Sequence, residues 1–317
     1  MINAVKNWYD RHFTRDESVI LFMILLGALL LLSVLGDVLM PVFVALVLAY
    51  LMQGVANQLQ KWGLSREFAL TGSTLIFVGV FFGFSLGVAP LAWRQFEGLI
   101  REAPAMMAAV QVQIEQIMAR YPLVIEQAPI TEMLSSLQGQ VASMGQALVG
   151  FGLASIPGVL TFLIYLVLIP LMVFFFLKDR EQLMTWALSF LPSERPALDQ
   201  IGRDVNVQIA NYVRGKGIEI AIMGALSYVG FAAFGINYTA LLALLVGLSV
   251  IVPYIGAFLV TIPVVLVAFF QFGLMSHFYW VVGFYMLIQV LDGNVLVPVL
   301  FSDCLLYTSP SPRDVEE

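Results

Sequence analysis

Positive charge is missing from the stretch between Gly217 and Asp303, and the only acids inside that interval are Glu219 and Asp292. Charged residues make up 11% of the 317-residue chain and hydrophobic residues 60%. Soluble domains carry roughly 25% charged residues, so the deficit excludes an ordinary soluble domain and points to an integral membrane protein. A net charge of −6 without a basic patch excludes nucleic acid as a partner. The single cysteine, Cys304, excludes an intrachain disulfide. His12 and His277 stand far apart with no cysteine cluster, which leaves no metal site to build. The chain has no phosphate-binding G-x-x-x-x-G-K-[ST] motif: "RGKG" at 214–217 lacks both the upstream glycine and the hydroxyl residue. It has no H-E-x-x-H, and an intramembrane aspartyl protease would need a second acid at matching depth, for which only Asp37 is available. Neither an enzyme nor a cofactor is expected. No small-residue cleavage site follows the first apolar run, so residues 1–18 read as a cytoplasmic N-terminus ahead of an uncleaved membrane helix.

What the chain does have is long apolar runs. A spanning helix needs about 20 apolar residues to cross a hydrocarbon core of about 30 Å. Residues 19–35 qualify, "GDVLMP" interrupts, and 42–52 continue. One straight helix over 19–52 would measure about 51 Å, so Gly36, Asp37 and Pro41 predict a tight helical hairpin. A third span follows at 69–93, where Gly79, Gly83 and Gly87 predict a close helix-packing face. Together 19–93 form a membrane hairpin plus a third span. From 94 to 156 charges return, apolar residues thin to helical stripes such as Met106, Val110, Ile114 and Ile117, and Pro104, Pro122 and Pro129 punctuate. That segment reads as an extramembrane, periplasmic insertion of amphipathic helices. Residues 157–302 form the rest of the membrane core, with a charged cytoplasmic segment at 178–217. Glu219, which follows Arg214 and Lys216, is placed at the cytoplasmic interface. The fold class is all-α, a polytopic membrane protein with broken transmembrane helices and an extramembrane helical insertion.

Orientation follows from lysine and arginine. An N-terminus inside puts Lys6, Arg11, Arg15, Lys61, Arg66, Lys178, Arg180, Arg195, Arg203, Arg214 and Lys216 in the cytoplasm, and leaves Arg94, Arg101 and Arg120 outside.

Two features carry chemistry. The run from Tyr238 to Phe270 is about 50 Å long if straight, and "VPYIG" at 252–256 must break it. A break at membrane depth survives only where protein or a water-filled cavity satisfies its backbone, and in secondary transporters such breaks build the substrate or ion site. Pro253, Tyr254 and Gly256 are therefore candidates. "DGN" at 292–294 lies between apolar runs, with Pro298 a turn later. A carboxylate at that depth is costly and usually faces a cavity or a partner, so Asp292 is a candidate for holding a cation or a proton. The competing reading makes Asp292 and Asn294 caps of a broken helix. Gly293 and Pro298 complete the candidate set.

The segments "FLKDREQL", "YVRGKG", "FGINYTALLALLVGLSVIVPYIGAFLVTIPVVLVAFFQFG" and "QVLDGNVLVPVLFS" resemble the autoinducer-2 exporter family. The resemblance runs from about Trp8 to Ser302 and is most specific from Tyr212 onward. It implies a multi-pass bacterial inner-membrane permease or secondary transporter that moves a small solute, with H+ or Na+ as the coupling ion. Pro253, Gly256, Pro263, Asp292, Asn294 and Pro298 match the family's motif. After Ser302 the family continues with a Leu-His-Pro motif and further apolar segments, whereas this chain reads "DCLLYTSPSPRDVEE". The tail, 303–317, is read as foreign to the native coding sequence. The partners expected are the lipid bilayer and a small solute. The alternative of another class is an oligomeric channel-like or scaffolding membrane protein, a homo-oligomer whose 94–156 region recruits partners.

Overall fold

The computed structural model describes residues 16–120, 156–189 and 196–305, with isolated positions at 136, 139 and 143. Every element among them is helical: α1 (Asp16–Lys61), α2 (Arg66–Gly83), a π turn (Phe84–Val88), α3 (Ala89–Arg120), α4 (Ile156–Lys178), α5 (Arg180–Leu188), α6 (Pro196–Ala233), α7 (Thr239–Ser249), α8 (Ile255–Phe272), α9 (Ser276–Leu291), a second π turn (Asp292–Leu296) and α10 (Val297–Leu305). Six helical stretches among the described residues are long and apolar enough to cross a membrane. α4, α8 and α9 are apolar almost all round, as lipid demands and a soluble bundle would not, whereas α3, α5 and the first half of α6 carry charges. The chain is a multi-pass membrane protein.

Several sequence expectations change here. The hairpin at "GDVLMP" does not form: α1 runs unbroken through Gly36, Asp37 and Pro41 for 46 residues. A proline inside a spanning helix removes one i→i−4 bond, which neighbouring groups can absorb, and no second feature at this point forces a turn. At about 69 Å the helix is longer than the hydrocarbon is thick. The premise that failed was that the whole apolar run had to fit inside one crossing. Among the described residues, nothing lies within 4 Å of a Cβ placed on Gly79, Gly83 or Gly87. A π turn, Phe84–Val88, follows directly after Gly83. No boundary falls at residue 94, because α3 continues to Arg120 with Pro104 inside it. The charged stretch after Pro196 and the apolar one after Gly217 form one 38-residue helix, α6. The rest of the amphipathic insertion, 121–155, and the tail beyond 305 lie outside the described residues, the three isolated positions apart.

The chain divides into two compact units. Unit one comprises residues up to Phe81, Ile164–Gly217, and Phe301 onward. Its core sets Ala45 and Ala49 of α1 against Phe77 of α2 and Ile169, Val173 and Leu177 of α4. The alanines matter because small residues let spanning helices approach closely. Gly54 of α1 meets the Arg214 side chain of α6, and Gly217 of α6 meets Leu51. Tyr50 OH donates to Asn206 Oδ1 at 2.9 Å, tying α1 to α6 with a polar bond.

Unit two comprises Phe82–Leu163 and Ile218–Leu300. Its core gathers Met223 and Phe231 of α6, Leu242 and Val246 of α7, Val264 and Val267 of α8, and Val281, Tyr285 and Ile288 of α9. The 11 residues of α7 rise only about 16 Å, and most of them are buried. α6 and α7 meet backbone to backbone, since a Cβ on Gly247 would stand 3.1 Å from Gly224 Cα.

Candidate functional site

The break between α7 and α8 arises where Pro253 removes a backbone donor and pushes Val252 toward extended geometry. The chain then turns tightly, and its polar groups find partners. Ile251 N donates to Leu248 O, Val252 N to Ser249 O, and Gly256 N to Val252 O at 2.9 Å. Gly256 is required because a Cβ there would overlap the Ser249 carbonyl. Tyr254 caps α8 at φ 62, a conformation that L side chains rarely adopt, and its ring is 90% exposed. Of the candidates at the break, Gly256 is buried, whereas Pro253 and Tyr254 are exposed. Pro263 sits half-buried inside an unbroken α8.

Immediately after the break, Ala257 O accepts a hydrogen bond from Thr261 Oγ1 at 2.7 Å and another from Tyr285 OH at 3.1 Å. The two hydroxyls lie 3.0 Å apart, and Gln289 Nε2 donates to Tyr285 OH at 2.9 Å. Tyr285 is fully buried. One buried phenol thus joins the first turn of α8 to two turns of α9, with both its donor and its acceptor capacity used.

α8 and α9 run antiparallel, since Phe269 meets Phe278 near their connection and Thr261 meets Tyr285 farther from it. Asp292 lies seven residues beyond Tyr285 along the same helical stretch, away from the connection to α8. Tyr285, Gln289 and Asp292 follow an i, i+4, i+7 spacing, which places them on one face of the helix. Asp292 is half-buried and opens the second π turn. Asn294 Nδ2 donates to Val290 O at 2.9 Å, so it serves the backbone where the helix widens. Pro298, exposed in the first turn of α10, lacks the N–H that would hold the narrower α register there. Gly293 faces open space. π turns inside helices often mark functional sites, and both of those among the described residues belong to unit two.

The Glu219 side chain is buried by protein, at 1% exposure, within the candidate span Asp199–Ala233. The helical phase explains the placement, since Gly215, Glu219, Met223 and Ser227 recur every four residues on the buried face of α6.

The opposite end of α7 is clamped. Gln271 of α8 accepts from Asn237 N at 2.6 Å and donates to Gly235 O at 2.7 Å. Gln95 of α3 accepts from Leu241 N at 2.8 Å, serving one of the amides at the start of α7. Tyr238, at φ 59, donates its hydroxyl to the Glu102 carboxylate. Burial and that carboxylate push the Tyr238 hydroxyl up from 10.0 to about 12.

Sequence reasoning missed Thr261, Tyr285 and Gln289. The signal was there, as polar side chains in otherwise apolar spans, two of them one helical turn apart and in phase with Asp292.

Comparison with known proteins supplies the context for this geometry. Residues 19–305 match the model of a family described as AI-2E family transporter. A protein of Escherichia coli (strain K12) named as a permease, PerM, is 42% identical over 305 residues, covering 96% of this chain and 86% of that protein. A Bacillus subtilis (strain 168) protein named as a transport protein, YueF, is 24% identical over 266 residues, covering 82% of this chain and 71% of its own length.

Proposed function

The chain belongs to the AI-2E transporter family, and from that premise we propose that it is a secondary carrier moving a small polar solute across the bacterial inner membrane, exporter-like and driven by a proton or sodium gradient. In this reading the N-terminus is cytoplasmic. The site is the polar face of Tyr285, Gln289 and Asp292 beside the α7–α8 break, with Asp292 as the coupling group. The observation that supports the reading is the helical phase that Asp292 shares with Gln289 and the buried Tyr285, whose hydroxyl fastens α9 to α8 just after the break. A carboxylate at this depth is expensive to expose to lipid, and a cation or a proton offsets its charge. Enzymatic chemistry has no place in this account.

A homo-oligomeric channel-like or scaffolding protein is the second reading. The open glycines of α2, which could receive a neighbouring helix, are the observation that favours it.

The test is flux in proteoliposomes containing the purified chain, with autoinducer-2 as the first probe and imposed proton or sodium gradients. Flux that follows one of the gradients and saturates with solute supports the carrier. Gradient-independent, non-saturating flux favours the channel and defeats the carrier.

A further inference from the structure

Unit one contains a pair of adjoining cavities where α1, α4 and α5 meet. One, about 280 Å³, is walled by Leu46, Ala49, Phe176, Leu183 and Trp186. The other, about 380 Å³, is lined by Gln53, Asn57, Gln60, Arg66, Arg180 and Glu181. They share Gln53, Leu177, Arg180 and Met184, so a single elongated ligand could occupy both. Together they fall in the size range of ligand sites, about 300–1,000 Å³. An apolar compartment opening onto a polar one fits an amphipathic molecule. A small soluble anion would leave the first unused, and an uncharged hydrocarbon would leave Arg180 without a partner of opposite charge.

The charge pattern selects among amphipaths. Arg66 is engaged with Glu181 at 2.7 Å, while Arg180 stands at the junction of the two compartments. Lys178 borders a further cavity of about 500 Å³ beside Arg66, where Glu67 offsets one of the two charges. An arginine fork matches phosphate oxygens bidentately, and its pull is strongest on a headgroup whose phosphate is not neutralised by an ammonium of its own, as in phosphatidylglycerol and unlike phosphatidylcholine. The amides of Gln53, Asn57 and Gln60 supply donors for ester and hydroxyl oxygens. The position agrees as well. The apolar run of α4 ends at Leu177–Lys178, and α5 carries an exposed Trp186, the residue type enriched where hydrocarbon gives way to headgroups. We propose that unit one binds one phospholipid with an anionic headgroup, its phosphate on Arg180 and an acyl chain in the compartment walled by Leu46, Phe176 and Trp186. Basic pockets between spanning helices are a recognised way to select such lipids.

The test is lipid retention by the purified chain, read by native mass spectrometry and by thermal shift on titration with phosphatidylglycerol or with phosphatidylcholine of the same chains. Saturable phosphatidylglycerol adducts, at least tenfold preferred over phosphatidylcholine, are expected. Arg180→Gln should lose at least tenfold in that preference while keeping its helical content and its unfolding temperature in phosphatidylcholine. Arg180→Lys should retain part of the preference. Equal retention of both lipids, or a preference untouched by Arg180→Gln, would overturn the proposal. Displacement of the lipid by millimolar glycerol phosphate would also overturn it, by showing that the acyl compartment contributes nothing. The readout does not depend on transport, so it stands or falls separately from the carrier reading.

Discussion

The hydroxyl of Tyr285 lies 3.0 Å from Thr261 Oγ1, fastening α9 to the first turns of α8 just beyond the α7–α8 break. A buried phenol in an apolar core is costly unless its polar atom is served, and here the carbonyl, the hydroxyl and the amide that serve it all belong to the segment where the carrier site is proposed.

Tyr285→Phe removes that hub and leaves the Gln289 amide without its acceptor. A fully buried donor left unmet costs about 1–3 kcal/mol, and Gln289 is half-buried, so thermal unfolding in detergent or nanodiscs should show a loss toward the lower end of that range. Adding Gln289→Leu should recover part of it, because the orphaned amide is then gone. No recovery in the double variant would mean that the amide finds another partner and that the hub is not a unit.

Two glycines should behave in opposite ways. Gly256→Ala forces a Cβ into the Ser249 carbonyl, and overpacking of this kind costs about 1–3 kcal/mol. Gly293→Ala meets nothing within 4 Å and removes a flexible residue from a helix, so stability should hold or rise by up to about 1 kcal/mol. Equal effects at the two positions would contradict the packing described at the break.

The loop at 234–238 lies outside the candidate spans, and Tyr238 gives it a signature in alkali. Its hydroxyl titrates near 10.0 in an unfolded chain and about 12 here. The folded state therefore keeps a proton that the unfolded state has given up, and stability falls as pH rises across that window. Denaturation between pH 9 and about pH 12 should show this loss in the parent protein. Tyr238→Phe should flatten it, at the expense of the Glu102 hydrogen bond at neutral pH.

Apolarity alone made the membrane class and most of the helices legible. The break at 252–256 was legible because a proline and a sterically required glycine act together there, and tight turns serve the freed backbone groups. At 36–41 the same residue types appear, yet only one helical bond is at stake and the helix continues, a difference that depends on surroundings rather than on local sequence. The burial of Glu219 was missed because its basic neighbours drew attention to charge, whereas its helical phase with Met223 and Ser227 turns it toward the protein interior. The polar face of α9 could have been found by asking which polar residues of that span share phase with Asp292. That Tyr285 is fully buried, among 11 tyrosines, follows from long-range packing that no local pattern reveals.

The most direct measurement is solute flux in proteoliposomes by the parent chain and by Asp292→Asn, under proton and sodium gradients. The substitution keeps the size of the side chain and removes only its charge. The carrier account predicts that coupled flux is abolished while the unfolding temperature and helical content stay within error of the parent. Full, gradient-dependent flux through the asparagine variant would contradict it.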